Sequence, residues 1–258
     1  MIIYQVDAFT NQLFKGNPAA VCPLDSWIPD TLMQSIAEEN NLSETVFFVK
    51  NKENFDIKWF TPTCEVNLCG HATLAAAHIL FTELNYTQKV ISFHSKRGIL
   101  TVKKNIDWYT LNFPSDAVVE IKIPKILEEA LQIPILKCFK SDLKLLVEVE
   151  SEELINQLNP NYNLLLQLEE NDIIVTSKGN SVDFVSRFFA PKIGINEDPV
   201  TGSAHSMLIP FWASKLNKDH LEALQLSKRT GYLKCTNLEG RVEMSGQAIT
   251  YLKGKLNL

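Results

Sequence analysis

The chain has 258 residues, 45% of them hydrophobic, which is enough for one large core or two smaller ones. Lysine and arginine number 25 against 30 aspartates and glutamates, and the net charge of −5 offers no basic surface to a nucleic acid. The longest apolar stretch, residues 72–81, is interrupted by His78 and is too short for a membrane span of about 20 residues. We therefore expect neither a nucleic acid nor a membrane as a partner.

The cysteines and the first residues of the chain indicate its compartment. The five cysteines are odd in number and no two form a CxxC pair, which argues against a disulfide framework or a structural zinc site. His71 and His78 share a helical face, but no further ligand stands at metal-site spacing. The opening MIIYQVDAF lacks the basic segment, apolar core and cleavage site of a secretory signal. We predict a cytoplasmic protein that holds no metal ion.

The first part of the chain is predicted to alternate between strands and two helices. An amphipathic helix is expected from Pro29 to Asn40, where apolar residues recur at three-and-four spacing. A second helix, from Gly70 to Phe81, is small and apolar on nearly every side, which is typical of a helix enclosed by other elements. Glu44 falls at the corner between the first helix and the strand that follows it. The predicted strands cover residues 2–9, 19–22, 45–49, 55–60, 90–93, 99–103 and 109–113, with a turn at Asn17-Pro18.

The second half of the chain repeats the first. Three pairs of segments match in the same order and at nearly the same spacing: 60–62 with 189–191, 68–72 with 200–204, and 98–100 with 231–233. Such a repeat indicates an internal duplication in which each half surrounds one apolar helix. We predict an α+β fold of two pseudo-symmetric lobes, each a curved β-sheet or barrel around a central helix, with a cleft between them.

The lobe boundary is predicted near Pro114, where the pattern of strands becomes weaker. The first lobe then covers residues 1–114 and is completed by a C-terminal strand, 247–258. The second lobe covers residues 115–246.

The two apolar helices begin in similar ways, with Gly70-His71 and Gly202-Ser203. A helix start offers unpaired N–H groups and the positive end of the helix dipole, so these two starts favour a small carboxylic acid as ligand. In the alternative interpretation, Ser203 is only an N-cap and the glycines only permit tight packing. Asp198, which precedes a proline, is either a turn former or an acceptor that orients a substrate amine or hydroxyl.

Four motifs spread over most of the chain resemble the signatures of the phenazine-biosynthesis-protein-F-like family. They are GNPAAV at 16–21, NLSETVF at 41–47, FTP at 60–62 with EVNLCGHAT at 65–73, and DPVTGSAH at 198–205. The middle of the chain, from about 114 to 180, carries no such motif.

This resemblance implies a two-lobed fold similar to diaminopimelate epimerase, a homodimer, no cofactor, and an isomerase that moves a proton on a small carboxylic acid. The resemblance makes Glu44 the proton shuttle, and a single carboxyl group is able to take a proton from one carbon and return it to another. The residues that would surround the substrate are His71, Asp198 and Ser203, with the backbone amides of Gly70 and Gly202.

Two other functions are open at this point. The first is a two-base amino-acid epimerase or racemase, in which cysteines on opposite faces exchange the proton. Cys69 stands where the first thiol would be, but its counterpart in the repeat is Thr201, whose hydroxyl is too weakly acidic for that role. The second is a small-molecule-binding protein without turnover, since a fold does not by itself decide function.

Overall fold

The computed structural model describes residues 1–142 and 144–258, and it divides into two compact units. Unit 1 consists of Met1–Phe113 and Glu243–Leu258, and unit 2 consists of Pro114–Val242. Among the described residues, no helix combines the length and the apolar character needed to cross a membrane.

Strands outnumber helices in both units. The strands are β1 (Ile2–Ala8), β2 (Asn17–Leu24), β3 (Glu44–Asn51), β4 (Asn54–Phe60), β5 (Glu65–Val66), β6 (Val90–Ser95), β7 (Gly98–Asn105), β8 (Trp108–Pro114), β9 (Val119–Ile121), β10 (Lys137–Ser141), β11 (Lys144–Glu148), β12 (Asp172–Lys178), β13 (Phe184–Ala190), β14 (Ile195–Asp198), β15 (His220–Gln225), β16 (Gly231–Leu238), β17 (Arg241–Gly246) and β18 (Ala248–Lys255). The helices are α1 (Asp30–Asn40), α2 (Gly70–Thr82), α3 (Lys125–Leu131), α4 (Glu152–Gln157), α5 (Tyr162–Leu165) and α6 (Gly202–Leu216), with a 3-10 turn at Pro191–Ile193.

Unit 1 is a mixed sheet folded around α2. The pairs β1–β2, β3–β4 and β6–β7 are antiparallel, whereas β2–β3 and β4–β6 are parallel. β18, from the end of the chain, pairs with β1 from residue 2 to residue 8, so a C-terminal strand completes this unit. The predicted lobe boundaries at 114 and 246 themselves remain a prediction.

The helix α2 is enclosed, as its composition predicts. It contacts β1, β2, β3, β7 and β18, and every residue from His71 to Leu80 is buried. A helix that is apolar on every face is stable only when every face is shielded from water. The sequence of α2 therefore requires other elements to surround it. The alanines at its centre keep the helix thin enough for strands to approach it closely.

Unit 2 repeats the pairing order of unit 1. The pairs β10–β11, β12–β13 and β15–β16 are antiparallel, and β11–β12 and β13–β15 are parallel. The largely buried α6 stands where α2 stands in the order of elements. The predicted α+β fold of two pseudo-symmetric lobes is thus confirmed.

The segment without a recognised motif contributes an ordinary core to unit 2. Between residues 114 and 180 lie β9 to β12 and α3 to α5, which bury Leu127, Leu145, Ile155 and Ile173 among other side chains. Apolar packing of this kind tolerates many sequences of suitable volume, which explains why no signature marks it.

Gly16, which precedes β2, has a backbone conformation and a close neighbour that a larger residue would not tolerate. Its φ is +65°, and a Cβ there would lie 2.1 Å from the carbonyl oxygen of Ala8. Gly240 has nearly the same φ, +70°, but among the described residues no heavy atom comes within 4 Å of the position of a Cβ. We expect Gly240→Ala to lose about 1–2 kcal/mol of stability for its left-handed backbone, and Gly16→Ala to lose more, because the backbone must move.

The free energy of unfolding of both variants, measured in urea, checks this prediction. Equal losses would show that the contact with Ala8 relaxes at no cost.

Candidate active site

Glu44 is the first residue of β3, at the predicted corner. α1 ends at Asn40, and Asn41 follows with a left-handed φ of 48°, which turns the chain toward the strand. β3 then pairs in parallel with β2, with Glu44 opposite Ala19. The side chain of Glu44 is only 13% exposed, so the corner directs it inward.

His71 lies in the first turn of α2 and meets this carboxylate. Its side chain is 4% exposed, and its Nε2 atom is 3.1 Å from Oε2 of Glu44. The two side chains therefore form a close, buried polar contact. Nε2 of His71 and Oε2 of Glu44 make no regular hydrogen bond to the described residues.

Asn17, the first residue of β2, holds the other side of the His71 ring. Its Nδ2 atom is 3.2 Å from Nδ1 of the imidazole, and the residue is fully buried. When Nδ1 accepts this hydrogen bond, the ring proton of neutral His71 is on Nε2 and faces Glu44. A half-turn of the amide presents its oxygen instead, so Asn17 can serve the imidazolium as well.

The sequence predicts a turn at Asn17 and Pro18, and this prediction is wrong. Asn17 and Pro18 already belong to β2. Pro18 is the second residue of β2, so its missing N–H lies close to the start of the strand and not in its middle. The signal that could have found Asn17 was its place in the GNPAAV motif.

The electrostatic environment of His71 favours its charged form. Burial of the ring by itself lowers the pKa of His71, but the negative charges of Cys69 and Glu44, both in close polar contact with the ring, raise it well above the ordinary value of 6.5. The thiol of Cys69 stays protonated at neutral pH. The negative charge that raises the pKa of His71 under those conditions therefore comes from Glu44.

Cys69 is the N-cap residue of α2, and its Sγ atom is 3.5 Å from Nδ1 of His71. Burial, with a further contribution from the charge of Glu44, raises the pKa of this thiol from 9.0 to about 11, against the opposing effect of His71. At neutral pH the group is a thiol and therefore a poor base.

Unit 2 holds the predicted Asp198 at the end of β14, where it is buried. Its Oδ2 atom accepts a hydrogen bond from the hydroxyl of Thr201. Gln225, which is fully buried, donates to the backbone oxygen of Asp198 at 2.7 Å and accepts from the backbone N–H of Thr201 at 2.8 Å. Gln225 thus fixes the approach to α6, and no motif in the sequence marks it.

The first turn of α6 carries Gly202, which is buried, and Ser203, which is partly exposed. The N-cap is Thr201, so the alternative reading of Ser203 as the N-cap is wrong. His205 has a structural place instead: its Nδ1 donates to the carbonyl oxygen of Thr201 at 2.8 Å, and burial lowers its pKa to about 4. The ring of His205 is neutral at pH 7.

The predicted residues therefore fall into two sets. Unit 1 contains Glu44, Gly70 and His71, with the side chains of Glu44 and His71 in contact. Unit 2 contains the other three, which are Asp198, Gly202 and Ser203. At the starts of α2 and α6, the N-cap residues Cys69 and Thr201 make no side-chain capping hydrogen bond of regular geometry.

Two cavities of the described chain lie away from these residues. One, of about 420 Å³, is in unit 2 beside Phe139, Phe211 and Lys215, and the other, of about 470 Å³, is in unit 1 beside Phe55 and Tyr86. None of the predicted site residues lines either cavity. The candidate site is identified by the chemistry of its side chains and not by a cavity within one unit.

The fold places the chain among proteins with an epimerase-like architecture. A solved structure from Pseudomonas aeruginosa, described as a predicted epimerase, superposes with a TM-score of 0.74 over 99% of this chain and 98% of that one, at 18% identity. At this identity the likeness concerns the fold alone.

Residues 6–254 match the family model described as phenazine biosynthesis-like protein, and the chain belongs to this family. A relative from Halalkalibacterium halodurans, named an uncharacterized isomerase, is 49% identical over 99% of this chain and 98% of its own. A crystal structure of a phenazine biosynthesis protein of the same family from Enterococcus faecalis is 44% identical and gives a TM-score of 0.98, covering 100% of this chain and 99% of that one. The chain is accordingly an enzyme of the isomerase class.

The contact between His71 and Glu44 can be tested by titration. We expect Glu44→Gln to lower the pKa of His71, because the variant removes a negative charge and leaves the burial of the ring. Proton chemical shifts of the ring, followed against pH by NMR, measure this change. Glu38→Gln is the matched control, because Glu38 is exposed on α1 and the variant removes the same charge.

The same contact predicts how stability depends on pH. The pKa of His71 is raised in the folded state, so its contribution to stability is complete below about 6.5 and is lost as the pH rises through the raised value. This contribution should shrink in Glu44→Gln and persist in Glu38→Gln. A His71 titration that does not respond to Glu44→Gln would contradict the assignment.

Proposed function

We propose that this isomerase moves a proton on a small carboxylic acid and that Glu44 is the group that moves it. The observation that carries the proposal is the inward-facing carboxylate of Glu44, 13% exposed and 3.1 Å from the ring of His71. A buried acid with an unused hydrogen-bonding atom is poised to exchange a proton with a ligand, and an acid that served only to cap a strand would be solvated.

The reaction needs only one acid–base group. The carboxylate of Glu44 takes a proton from a substrate carbon while the bonding electron pair moves into the neighbouring unsaturated system. The carboxylic acid then returns the proton to a different carbon, so that atoms and charges balance over the cycle. The ring of His71, 3.1 Å away, fixes the orientation of the Glu44 side chain, with Asn17 holding the ring.

Substrate binding is assigned to the predicted residues of both units. The backbone amides at Gly70, Gly202 and Ser203 belong to helix starts whose N-cap residues make no side-chain capping hydrogen bond, which favours a carboxylate ligand. Asp198, held by Thr201 and Gln225, is fixed in one orientation, which suits an acceptor for a substrate amine or hydroxyl.

The two-base epimerase is the less favoured alternative. A thiol with a pKa of about 11 is a weak base at neutral pH, and the counterpart of Cys69 in the repeat is Thr201. The hydroxyl of Thr201 is engaged with Asp198. A binding protein without turnover is disfavoured by the isomerase class of the relatives. The homodimer rests on the family resemblance and the cytoplasmic location on the sequence, and both remain proposals.

The proton-shuttle role predicts that Glu44→Gln loses exchange activity. The measurement is deuterium incorporation from solvent into a panel of small cyclic and amino-acid-derived carboxylic acids, followed by mass spectrometry. We expect a loss of about 10²–10⁴-fold, the usual contribution of a general acid–base, since an amide cannot carry the proton. Glu38→Gln should keep the parental rate. Equal rates in Glu44→Gln and the parent would remove Glu44 from the mechanism.

The thiol is predicted to be dispensable for turnover. Cys69→Ala should keep its exchange rate within about tenfold of the parent. In the proposed mechanism Glu44 carries the proton, and the thiol of Cys69 takes no part in the transfer. Circular dichroism confirms that the variant is folded. A folded Cys69→Ala protein without exchange, on a substrate that the parent turns over, would favour the two-base mechanism.

A further inference from the structure

Three side chains of the candidate site are of the types that bind zinc. A carboxylate oxygen of Glu44, Sγ of Cys69 and one ring nitrogen of His71 all lie within 4.8 Å of one another. Among the described residues, no other group of three such side chains comes this close together. Cysteine, histidine and glutamate are all common zinc ligands.

One of the separations, between Nε2 of His71 and the carboxylate of Glu44, already suits a tetrahedral ion. Zinc bonds of about 2.0 Å to nitrogen and oxygen and about 2.3 Å to sulfur separate the ligand atoms by about 3.3–3.6 Å. Nε2 of His71 and Oε2 of Glu44 are 3.1 Å apart, and Nδ1 of His71 and Sγ of Cys69 are 3.5 Å apart. Because Sγ of Cys69 faces Nδ1, its side chain must turn toward Nε2 for one ion to bind all three donors.

A second observation points to a ligand at this place. Nε2 of His71 and Oε2 of Glu44 are both buried, and apart from their 3.1 Å contact with each other neither has a polar partner of regular hydrogen-bond geometry within the described residues. Buried polar atoms are costly when unpaired, and a bound cation would satisfy both. Asn17, at 3.2 Å from Nδ1, would hold the ring from behind, as outer-shell residues do at zinc sites.

We propose that a zinc ion binds Glu44, Cys69 and His71 and reversibly inhibits the isomerase. As the zinc–sulfur bond forms, the thiol releases its proton to solvent, and a charged His71 does the same. The ion takes the carboxylate oxygen that would accept the proton of the substrate, so turnover stops. Zinc is favoured over magnesium because a thiolate prefers the softer ion. The inhibition rests on the proposed role of Glu44, whereas the binding does not.

Zinc binding is tested on the purified, chelator-washed full chain, without any substrate. Competition with a chromophoric chelator gives the affinity for zinc, and cobalt(II) in place of zinc gives the ligand spectrum. The variants are Cys69→Ser and, as the matched control, Cys64→Ser, which changes an exposed cysteine outside the cluster.

We expect one zinc ion per chain in the parent and in Cys64→Ser, and more than about tenfold weaker binding in Cys69→Ser, since even outer-shell partners are worth 10–100-fold. The charge-transfer band from thiolate to cobalt should be present in the first two proteins and absent in Cys69→Ser. Failure of the parent to bind zinc, or a band that survives in Cys69→Ser, would overturn the proposal.

Inhibition is tested by solvent-deuterium exchange with and without added zinc chloride, on a substrate that the parent turns over. Zinc should stop exchange in the parent, a chelator should restore it, and Cys69→Ser should need more than about tenfold more zinc for the same fractional loss. Zinc that binds without inhibiting would overturn the regulatory part. Exchange that persists in Glu44→Gln without zinc would refute the proposed function, and the binding result would stand.

Discussion

The contact between the carboxylate of Glu44 and the ring of His71 is the constraint on which the rest of the site depends. A buried imidazole is normally neutral, because burial disfavours its charge. A carboxylate 3.1 Å away reverses that preference, and Asn17 holds the ring so that it faces the acid. The contact exists only because three elements begin close together: β2 at Asn17, β3 at Glu44 and α2 at Gly70.

The duplication explains how one scaffold came to hold two different groups of polar residues. In unit 1 the residue before the apolar helix is Cys69, beside an imidazole and an acid. In unit 2 the corresponding residue is Thr201, whose hydroxyl bonds to Asp198 and whose backbone is held by Gln225. The helix starts are equivalent in the order of elements, while their side chains have diverged. In the proposed function, proton transfer belongs to unit 1 and hydrogen bonding of a polar ligand group to unit 2.

The neighbourhood of Cys69 shows how packing limits chemistry. The thiol is buried next to a carboxylate, and both factors raise its pKa to about 11. It is therefore inactive as a base at neutral pH, although it stands where a two-base enzyme would carry a catalytic thiol. A metal ion changes this balance, because coordination removes the proton that the surroundings otherwise retain. The same residue can thus be a spectator in turnover and a ligand in inhibition.

By itself, the sequence determined the α+β class, the duplication, the enclosed helix α2 and the family of the chain. These features depend on local periodicity and on short motifs, which remain readable without coordinates. Only the tertiary structure decided that Asn17 is buried against His71, that Gln225 braces Asp198, and that Thr201 rather than Ser203 is the N-cap of α6. Asn17 and His71 are far apart in the chain, as are Gln225 and Asp198, and each pair meets only after strands and helices have packed. No local sequence pattern predicts these contacts. The free energy that brings the residues together comes from burying the apolar faces of the strands and helices, and not from the polar residues themselves.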